Sequence, residues 1–260
     1  MYMEEDTLDI ADNYRAVGLR EGDVVFVHAN LLPFGLVAKE KEKFVEFFLD
    51  PLLQIIGPTG TIVLMSYTFD YAKGVHPYIH ESTSSEAGML SEYVRRMPGA
   101  QRSFHPLCSV VAYGAKASDI TKDASRSAFG WGSPFHRLHE LKAKCLFLGM
   151  TCGQSFTFLH YVEQMYGVSH CYNKAFFHPA FKDGKEIAGP FLAFLRNRKS
   201  EPFDFAVFER RAREREVLSE TSFQGAPIQS IAFVDTFRIG MELLEENPSI
   251  FLKTSFFVTE

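Results

Sequence analysis

The sequence contains one pair of side chains with the spacing of a general base and its partner. His160 and Glu163 stand three residues apart in the segment Leu159-His-Tyr-Val-Glu. On a helix, residues i and i+3 share a face, with Cβ atoms roughly 5–6 Å apart. A carboxylate beside an imidazole fixes its tautomer and raises its basicity, as a general base requires. The spacing predicts a catalytic base if the helix faces a cleft, and a surface ion pair if it does not.

Polar side chains also follow two apolar runs that we expect to form buried strands. His28-Ala-Asn30 follows the first run and Ser66-Tyr-Thr68 follows the second. Reactive groups in open α/β sheets collect beyond the carboxyl ends of the strands, so both segments are candidates for a site. Capping of a loop and satisfaction of backbone groups would explain the same residues equally well.

A third candidate is the loop after Pro98-Gly99, where Arg102-Ser-Phe-His105 combines a cation, a hydroxyl and an imidazole. Such a loop could bind an anion. A structural turn around a buried arginine is at least as good an explanation of the same residues.

Histidine pairs elsewhere do not predict a metal site. The pair His76 and His80 is interrupted by Pro77, which makes a regular helix presenting both rings doubtful. The pair His136 and His139 has no third ligand nearby, so solvated or packed rings are the better interpretation. We therefore expect a protein without a metal.

The elements that must position these residues alternate between strand and helix patterns, which predicts one α/β domain over residues 1–260. Helices are predicted over 6–17, 41–56, 83–97, 157–166, 203–215 and 235–246. Buried strands are predicted over 23–27, 61–65, 109–113 and 144–148, with hairpins around 183–184 and within 217–233. The helix over 83–97 is expected to begin with the capping box Thr83-Ser-Ser-Glu86, and Ser133-Pro134 to begin another.

Composition excludes several classes of function. The chain has 27 basic and 32 acidic residues and a net charge of −5, which argues against broad neutralisation of nucleic-acid phosphates. The acidic first residues are unlike a signal peptide, and no run of about 18 apolar residues predicts a membrane span. The four cysteines show no C-x-x-C spacing, so we expect reduced thiols in a cytoplasmic protein. The 26 phenylalanines predict core or an apolar tunnel, because a phenyl ring carries no acid–base chemistry.

A series of short motifs runs along the chain in a specific order. They are Gly22-Asp-Val-Val-Phe-Val-His28, Phe34-Gly35, Gly57-Pro-Thr-Gly-Thr61, Ser66-Tyr-Thr68, Gly88-Met-Leu-Ser-Glu92, Arg95-Arg-Met-Pro-Gly-Ala100, Arg102-Ser-Phe-His-Pro106, Ser109-Val-Val-Ala112, Gly132-Ser-Pro134 and Leu159-His-Tyr-Val-Glu163. Together they resemble the aminoglycoside 3-N-acetyltransferase family over nearly the whole chain.

The resemblance implies a three-layer α/β/α sandwich around a mixed sheet, unrelated to the usual N-acetyltransferase (GNAT) fold. It also implies acetyl transfer from acetyl-CoA to a primary amine of an aminoglycoside or related amino sugar, by direct transfer with a histidine base. In that family the histidine of H-x-x-E is the expected base, which maps to His160 with Glu163 as its partner. The histidine that ends the first strand maps to His28, which would position the amine or relay its proton.

The resemblance further implies where the substrates bind. The cofactor is expected to contact Asn30, Leu31, Leu32, Phe34, Gly35, Ser66, Arg102, Ser103, Phe104 and His105, with Arg102 facing its phosphates. The acceptor is expected near Tyr67, Thr68 and Asp70. One departure is that members usually carry two serines after the first histidine, where this chain has Ala29-Asn30. Backbone amides could still bind the cofactor there, but the hydroxyls are lost.

The acceptor itself is left open by these residues. A polycationic aminoglycoside would need carboxylates, for which Asp70, Glu81, Glu86 and Glu163 are candidates. An amino sugar carried on a nucleotide would need basic contacts to phosphate. A non-catalytic CoA-binding protein on the same fold is a further alternative, and retention of both His160 and Glu163 argues against it. Whether the chain forms a homodimer is also left open by the sequence.

Overall fold

A seven-stranded mixed sheet forms the centre of the molecule, and a computed structural model describes residues 9–35, 37, 39–197 and 201–253. The strands are β1 Val24–Ala29, β2 Thr61–Tyr67, β3 Tyr78–Ile79, β4 Gln101–Arg102, β5 Cys108–Gly114, β6 Lys144–Leu148, β7 Cys171–Phe176, β8 Ala180–Lys182, β9 Lys185–Glu186, β10 Phe191–Arg196, β11 Ser219–Phe223 and β12 Ala226–Ala232. The helices are α1 Ile10–Ala16, α2 Lys41–Ile56, α3 Phe69–Lys73, α4 Met89–Arg96, α5 Ala117–Thr121, α6 Pro134–Glu140, α7 Thr157–Tyr166, α8 Ala206–Glu214 and α9 Phe233–Glu246.

The order of strands across the central sheet is β11-β12-β6-β1-β2-β5-β4. The middle strand β1 runs parallel to both β6 and β2, while the remaining pairs are antiparallel. These three parallel strands read as continuous apolar runs because helices cover both of their faces. The carboxyl ends of β1, β2 and β6 consequently meet at one edge of the sheet.

Two separate hydrophobic cores lie on the two faces of the sheet, and the alternation along β1 shows how they divide. Val25 and Val27 pack into the core formed with α1, α2 and α4. Val24 and Phe26 pack into the other core, which includes residues of α5 to α9. Because side chains alternate along a strand, His28 follows Phe26 onto the second face. The predicted three-layer α/β/α sandwich around a mixed sheet is confirmed.

Helix α7 packs on the second face and ends where the sequence predicts. Leu159 and Val162 are fully buried, and the helix lies against α9, where a Cβ on Gly240 would press on the Val162 side chain. Gly167 follows the last turn with φ of 84°, a left-handed conformation that glycine adopts without strain. The helix therefore stops there and the chain turns back toward its own last turn.

Several predicted elements are confirmed and others are wrong. The helices over 41–56 and 157–166 and the strand over 144–148 have the predicted bounds, and the Ser133 hydroxyl caps α6 by accepting from the backbone N–H of His136. The predicted hairpin around 183–184 is confirmed by the antiparallel pair β8 and β9, and a second antiparallel pair, β7 and β10, flanks it. The predicted helix over 6–17 is described from Ile10 to Ala16, and residues 1–8 lie outside the described part.

The predicted capping box is a clear error. Helix α4 begins at Met89, six residues after Thr83. The Thr83 hydroxyl accepts from the backbone N–H of Ile79, and the Glu86 carboxylate accepts from the backbone N–H of Asp70. Both groups are thus engaged by backbone N–H groups of the preceding elements β3 and α3, which a local pattern cannot reveal.

Among the described residues, no helix is both long and apolar enough to cross a membrane.

Candidate active site

A cavity of about 570 Å³ opens at the edge of the sheet where β1, β2 and β6 end. The described residues that line it are Val27, His28, Ala29, Asn30, Leu31, Leu32, Phe44, Leu64, Met65, Tyr67, Glu86, Ala87, Gly88, Met89, Leu90, Ser91, Met150, Ser155, Thr157 and His160. The cavity has the size and mixed apolar and polar lining of small-molecule sites. It brings the first strand end together with the start of α7.

Three polar side chains form a buried cluster at the α7 end of this cavity. Glu163 is fully buried, and its Oε2 lies 2.9 Å from Nδ1 of His160. Its Oε1 lies 3.0 Å from Nε2 of His170, which follows the end of α7. An ionised carboxylate only accepts hydrogen bonds, so both imidazoles donate an N–H to Glu163. The cluster is a carboxylate held between two histidines.

His160 is the member of the cluster that reaches the cavity. Its side chain is 24% exposed, and the rings of Phe129, Phe203 and Phe205 surround it at centroid distances of 5.7, 4.6 and 5.8 Å. Because Nδ1 carries the proton that Glu163 accepts, the Nε2 lone pair is available to a substrate. This arrangement holds one tautomer of the ring in one orientation.

The electrostatics of Glu163 favour its charged form. Burial alone pushes the carboxyl pKa up, but the hydrogen bonds from His160 and His170 outweigh burial and place it below its ordinary value. The carboxylate is therefore ionised at neutral pH. A buried anion in hydrogen-bond contact with His160 stabilises a proton taken up by that ring.

His28 stands on the cavity wall in a different state. The backbone N–H of Thr157 donates to its Nε2 at 3.2 Å, and its ring stacks on Phe147 at 5.3 Å. Burial, and then repulsion from His160 when that ring is protonated, lower the pKa of His28 to about 3. The ring is neutral, its Nε2 lone pair is used, and its proton is on Nδ1.

The predicted cofactor segment after His28 divides between cavity and core. Asn30, Leu31 and Leu32 line the cavity. Phe34 is buried against other phenylalanines, and Gly35 closes the 3₁₀ turn by donating its N–H to the Leu32 carbonyl. These two residues therefore support the segment from behind.

The position of this segment depends on a close backbone approach. The N–H of Asn30 donates to the Leu148 carbonyl at 2.8 Å. A Cβ at Gly149 would collide with the Asn30 carbonyl oxygen, so only glycine admits the segment so close to the end of β6.

The site residues predicted at the end of β2 and in α3 lie partly in the cavity, partly in the core and partly at the surface. Tyr67 lines the cavity, and its hydroxyl lies 3.3 Å from that of Thr157. Ser66 is fully buried beside it, and Thr68 is buried with its hydroxyl donating to the Pro106 carbonyl. Asp70 forms an exposed ion pair with Lys73 at 2.7 Å, away from the described lining of this cavity.

The Arg102 loop is not brought to the cavity. The guanidinium donates to the Ser109 hydroxyl and to the Thr83 and Ser66 carbonyls, at 2.6 to 3.0 Å. The guanidinium is therefore hydrogen-bonded to groups within the protein, whereas the sequence analysis expected it to face the phosphates of the cofactor.

The other residues of this loop are engaged in the same way. The Ser103 hydroxyl accepts from the Val110 N–H, and Phe104 packs against Tyr78 and Phe191. His105 accepts two backbone N–H groups at Nδ1 and donates from Nε2 to the Leu192 carbonyl. These contacts favour the structural interpretation of the loop.

One group of described side chains has the composition of a metal site. Ligand atoms of Glu163, His170 and Cys171 lie within 4.8 Å of one another. However, both oxygens of Glu163 accept from histidines, and burial raises the pKa of the Cys171 thiol to about 12. A protonated thiol is a poor ligand, so the group is better described as part of the hydrogen-bonded cluster. The absence of a metal stays a prediction.

His170 is the residue that the sequence patterns missed. It lies seven residues after Glu163 and beyond Gly167, so helical periodicity does not connect the two side chains. The nearest signal in the sequence is a histidine placed just after a helix-ending glycine. Only the reversal of the chain after α7 brings it to Glu163.

The chain is similar in sequence to known proteins. The sequence profile of the family described as aminoglycoside 3-N-acetyltransferase matches residues 26–245. The aminoglycoside N(3)-acetyltransferase III of Salmonella sp is 33% identical over 174 aligned positions, and the match covers 59% of this chain and 58% of that relative. The matched part thus spans less than two thirds of that relative's length.

Solved structures show the same fold at lower identity. Aminoglycoside acetyltransferase AAC(3)-Xa superposes with a TM-score of 0.78 at 24% identity, over 92% of this chain and 92% of that one. The binary complex of AAC-IIIb with CoASH gives a TM-score of 0.76 at 23% identity, over 95% and 97%.

Proposed function

This chain belongs to the aminoglycoside 3-N-acetyltransferase family, and from that premise we propose that it transfers an acetyl group from acetyl-CoA to a primary amine of an aminoglycoside or related amino sugar. The observation that carries the proposal is the Glu163 cluster, which leaves the Nε2 lone pair of His160 at the wall of a cavity. A pure binding module has no need of a buried carboxylate that orients an imidazole. The curated relatives that match the chain are named for this activity.

The cavity residues fit the thioester arm of acetyl-CoA. The wall formed by Asn30, Leu31 and Leu32 offers apolar side chains and backbone groups, and the cavity reaches His160 at its other end. The structure of AAC-IIIb with CoASH shows that a protein of this fold binds the cofactor. Acetyl-CoA supplies an activated acyl group with a thiol as leaving group.

His160 is proposed as the general base. An alkyl amine titrates near pH 10.4 and arrives mostly as an ammonium, so a proton must be removed before the nitrogen can attack. Nε2 of His160 accepts this proton, and Glu163 stabilises the imidazolium. The C–N bond then forms, the C–S bond breaks, and the nitrogen loses a second proton as the neutral amide forms. Of the two protons, one passes from the imidazolium to the departing thiolate and the other is released to solvent. A base of this kind contributes about 10²–10⁴-fold to the rate.

His28 is proposed as a neutral positioning group. Its Nε2 accepts from the Thr157 N–H, so it cannot also take the proton of the amine without losing that bond. Its Nδ1–H remains available as a donor toward a carbonyl oxygen or a substrate hydroxyl. A low pKa keeps the ring in this donor state across the physiological range.

The same proposal covers the domain organisation, the absence of a metal and the state of the cysteines. The chain is expected to act as one domain and without a metal. Because the amine attacks the thioester directly, the reaction requires no covalent acyl-enzyme. Its buried cysteines all lack a disulfide partner, as a reduced cytoplasmic protein would require.

The proposal is tested by incubating the purified chain with acetyl-CoA and a panel of aminoglycosides and amino sugars. Released thiol is measured with a chromogenic disulfide, and the N-acetyl product is identified by mass spectrometry. We expect thiol release only when an amine is present, with one acetyl group added per turnover. Binding of CoA without release of thiol for any amine would favour a non-catalytic CoA-binding protein.

A further inference from the structure

Two hydroxyl groups meet on the cavity wall beside His160. Thr157 is the first residue of α7 and Tyr67 is the last residue of β2, and both line the cavity. Their hydroxyl oxygens lie 3.3 Å apart. Thr157 precedes His160 by three residues on the same helix, so the two side chains share a helix face, with Cβ atoms roughly 5–6 Å apart. The hydroxyl pair therefore stands next to the proposed base.

One of the two hydroxyl protons is not used within the described part of the chain. Two O–H groups carry two protons, the bond between them uses one, and neither hydroxyl has another hydrogen-bond partner among the described residues. The phenol is the more acidic group, so Tyr67 donates and Thr157 accepts. Burial raises the pKa of Tyr67 further, so the phenol keeps its proton. The O–H of Thr157 is consequently available to a ligand in the cavity.

Two other buried threonines on helices use their hydroxyls differently. Thr236 of α9 donates to the carbonyl of Ala232 at 3.0 Å, and Thr121 of α5 donates to that of Ala117 at 2.8 Å. Thr157 begins its helix, so no helical carbonyl lies four residues before it to accept such a bond. A buried donor without an acceptor costs free energy, which a ligand bearing an acceptor would offset.

The Thr157 hydroxyl is fixed in place before any ligand binds. The backbone N–H of Thr157 donates to Nε2 of His28 at 3.2 Å, and the residue is only 6% exposed. The Tyr67 ring that holds its hydroxyl is itself stacked on Phe69 at 5.1 Å. Ser155 also lines the cavity, but it is exposed and its hydroxyl has no hydrogen bond within the described part of the chain. Stabilisation of a developing charge requires a donor that is oriented in advance, which Thr157 provides.

We propose that the Thr157 hydroxyl donates a hydrogen bond to the carbonyl oxygen of the thioester, and that Tyr67 orients this hydroxyl. The inference rests on the proposed acetyl transfer and specifies how the acetyl group is held. As the amine nitrogen bonds to the carbonyl carbon, the C=O π electrons move to the oxygen, and they return when the C–S bond breaks. The oxygen is two bonds from the nitrogen that faces His160, so a donor one helical turn away reaches it. Thr157 keeps its proton throughout, and Tyr67 acts on the acetyl group through Thr157.

Steady-state kinetics with acetyl-CoA and an accepted amine test the two hydroxyls. Thr157→Val keeps the shape of the side chain and should lower kcat about 10²-fold with little change in the KM for acetyl-CoA, because the bond strengthens only as charge develops. Thr157→Ser retains the hydroxyl and should recover most of the rate. Tyr67→Phe should lower kcat by no more than about tenfold, and adding it to Thr157→Val should cost little more, because the two groups act as one unit.

A matched control is available on the neighbouring helix. Thr236 lies near the start of α9, which packs against α7, and its hydroxyl is used by the Ala232 carbonyl. Thr236→Val is the same substitution in a buried position, and it should leave kcat unchanged. Thermal unfolding of each variant confirms that the compared proteins are folded.

The dithioester analogue of acetyl-CoA, in which sulfur replaces the carbonyl oxygen, separates contact with this atom from a structural role. Sulfur accepts hydrogen bonds only weakly. The ratio of kcat for acetyl-CoA to kcat for the analogue should therefore be at least about tenfold lower in Thr157→Val than in the unmodified chain. An unchanged kcat in Thr157→Val, or an unchanged ratio, would overturn the inference while leaving acetyl transfer standing. Absence of thiol release by the unmodified chain with every amine would overturn the proposed function and this inference with it.

Discussion

The segment around His160 and the loop around His105 contain the same kinds of residue and use them in opposite ways. In the loop, His105 has hydrogen bonds at both ring nitrogens, and the Arg102 guanidinium donates three. On α7, His160 has a described hydrogen bond at Nδ1 and turns toward a cavity. Both segments pair a histidine with a charged neighbour. Hydrogen-bonding capacity left over at a cavity, and not residue type, distinguishes a candidate catalytic group from a structural one.

The largest expected effect separates these two histidines directly. His160→Ala should lower kcat about 10²–10⁴-fold, because it removes the proton acceptor. Binding of CoA should change little, whereas the free energy of unfolding should fall by about 1–3 kcal/mol, because the buried Glu163 carboxylate loses one of its two donors. Steady-state kinetics, calorimetry with CoA and thermal unfolding measure the three quantities. An unchanged kcat would remove His160 from the mechanism.

The loop should show the reverse pattern. Arg102→Gln should lower the free energy of unfolding by about 3 kcal/mol, because a partly buried guanidinium loses its bonds to Ser109, Thr83 and Ser66. The KM for acetyl-CoA should stay the same. Arg20→Gln is the control, since Arg20 is largely exposed and should change stability by less than about 0.5 kcal/mol. A raised KM with normal stability would instead support the expectation that Arg102 contacts cofactor phosphates.

Acid should also act on the loop, through His105. Burial lowers the pKa of His105 to about 4, from an ordinary 6.5. Between these values the unfolded chain binds more protons than the folded chain, so stability is full above about pH 6.5 and falls as pH falls toward 4. His105 alone should account for a loss of about 2 kcal/mol between pH 7 and pH 5.

Urea unfolding at the two pH values measures this loss. His105→Asn does not titrate, so its stability should depend on pH less than that of the unmodified chain. His28, with its pKa also lowered by burial, contributes in the same direction in both proteins. Equal pH dependence of the two proteins would contradict the buried neutral state of His105.

The smallest effect concerns the member of the cluster that lies outside α7. His170→Leu removes one donor to Glu163 and should lower kcat by up to about tenfold, a loss of about 1.4 kcal/mol. The hydrogen bond from His170 helps to hold the pKa of Glu163 below its ordinary value, so its loss should raise that pKa and move the acidic limb of the pH–rate profile to higher pH. His170→Gln retains an N–H donor and should recover part of the rate. A purely structural role would lower the amount of folded protein without moving the pH profile.

Much of the fold follows from local patterns. The apolar run that became β6 and the amphipathic pattern of α2 were predicted with their bounds, because a continuous apolar run and a 3.6-residue period act over neighbouring residues. The capping box at Thr83 failed for the converse reason. Its side chains found partners in Ile79 and Asp70, and no pattern within the segment indicates that competition.

The sequence by itself determined the three-layer fold, the family and the pairing of His160 with Glu163, since each rests on short-range spacing or on the order of motifs. Only the tertiary structure decided that His170 completes the cluster and that Arg102 is engaged internally. These relations join residues on different elements, and packing of side chains across a core sets them. The physical reason is that spacing along the chain specifies which residues share a face, whereas long-range packing specifies what that face meets.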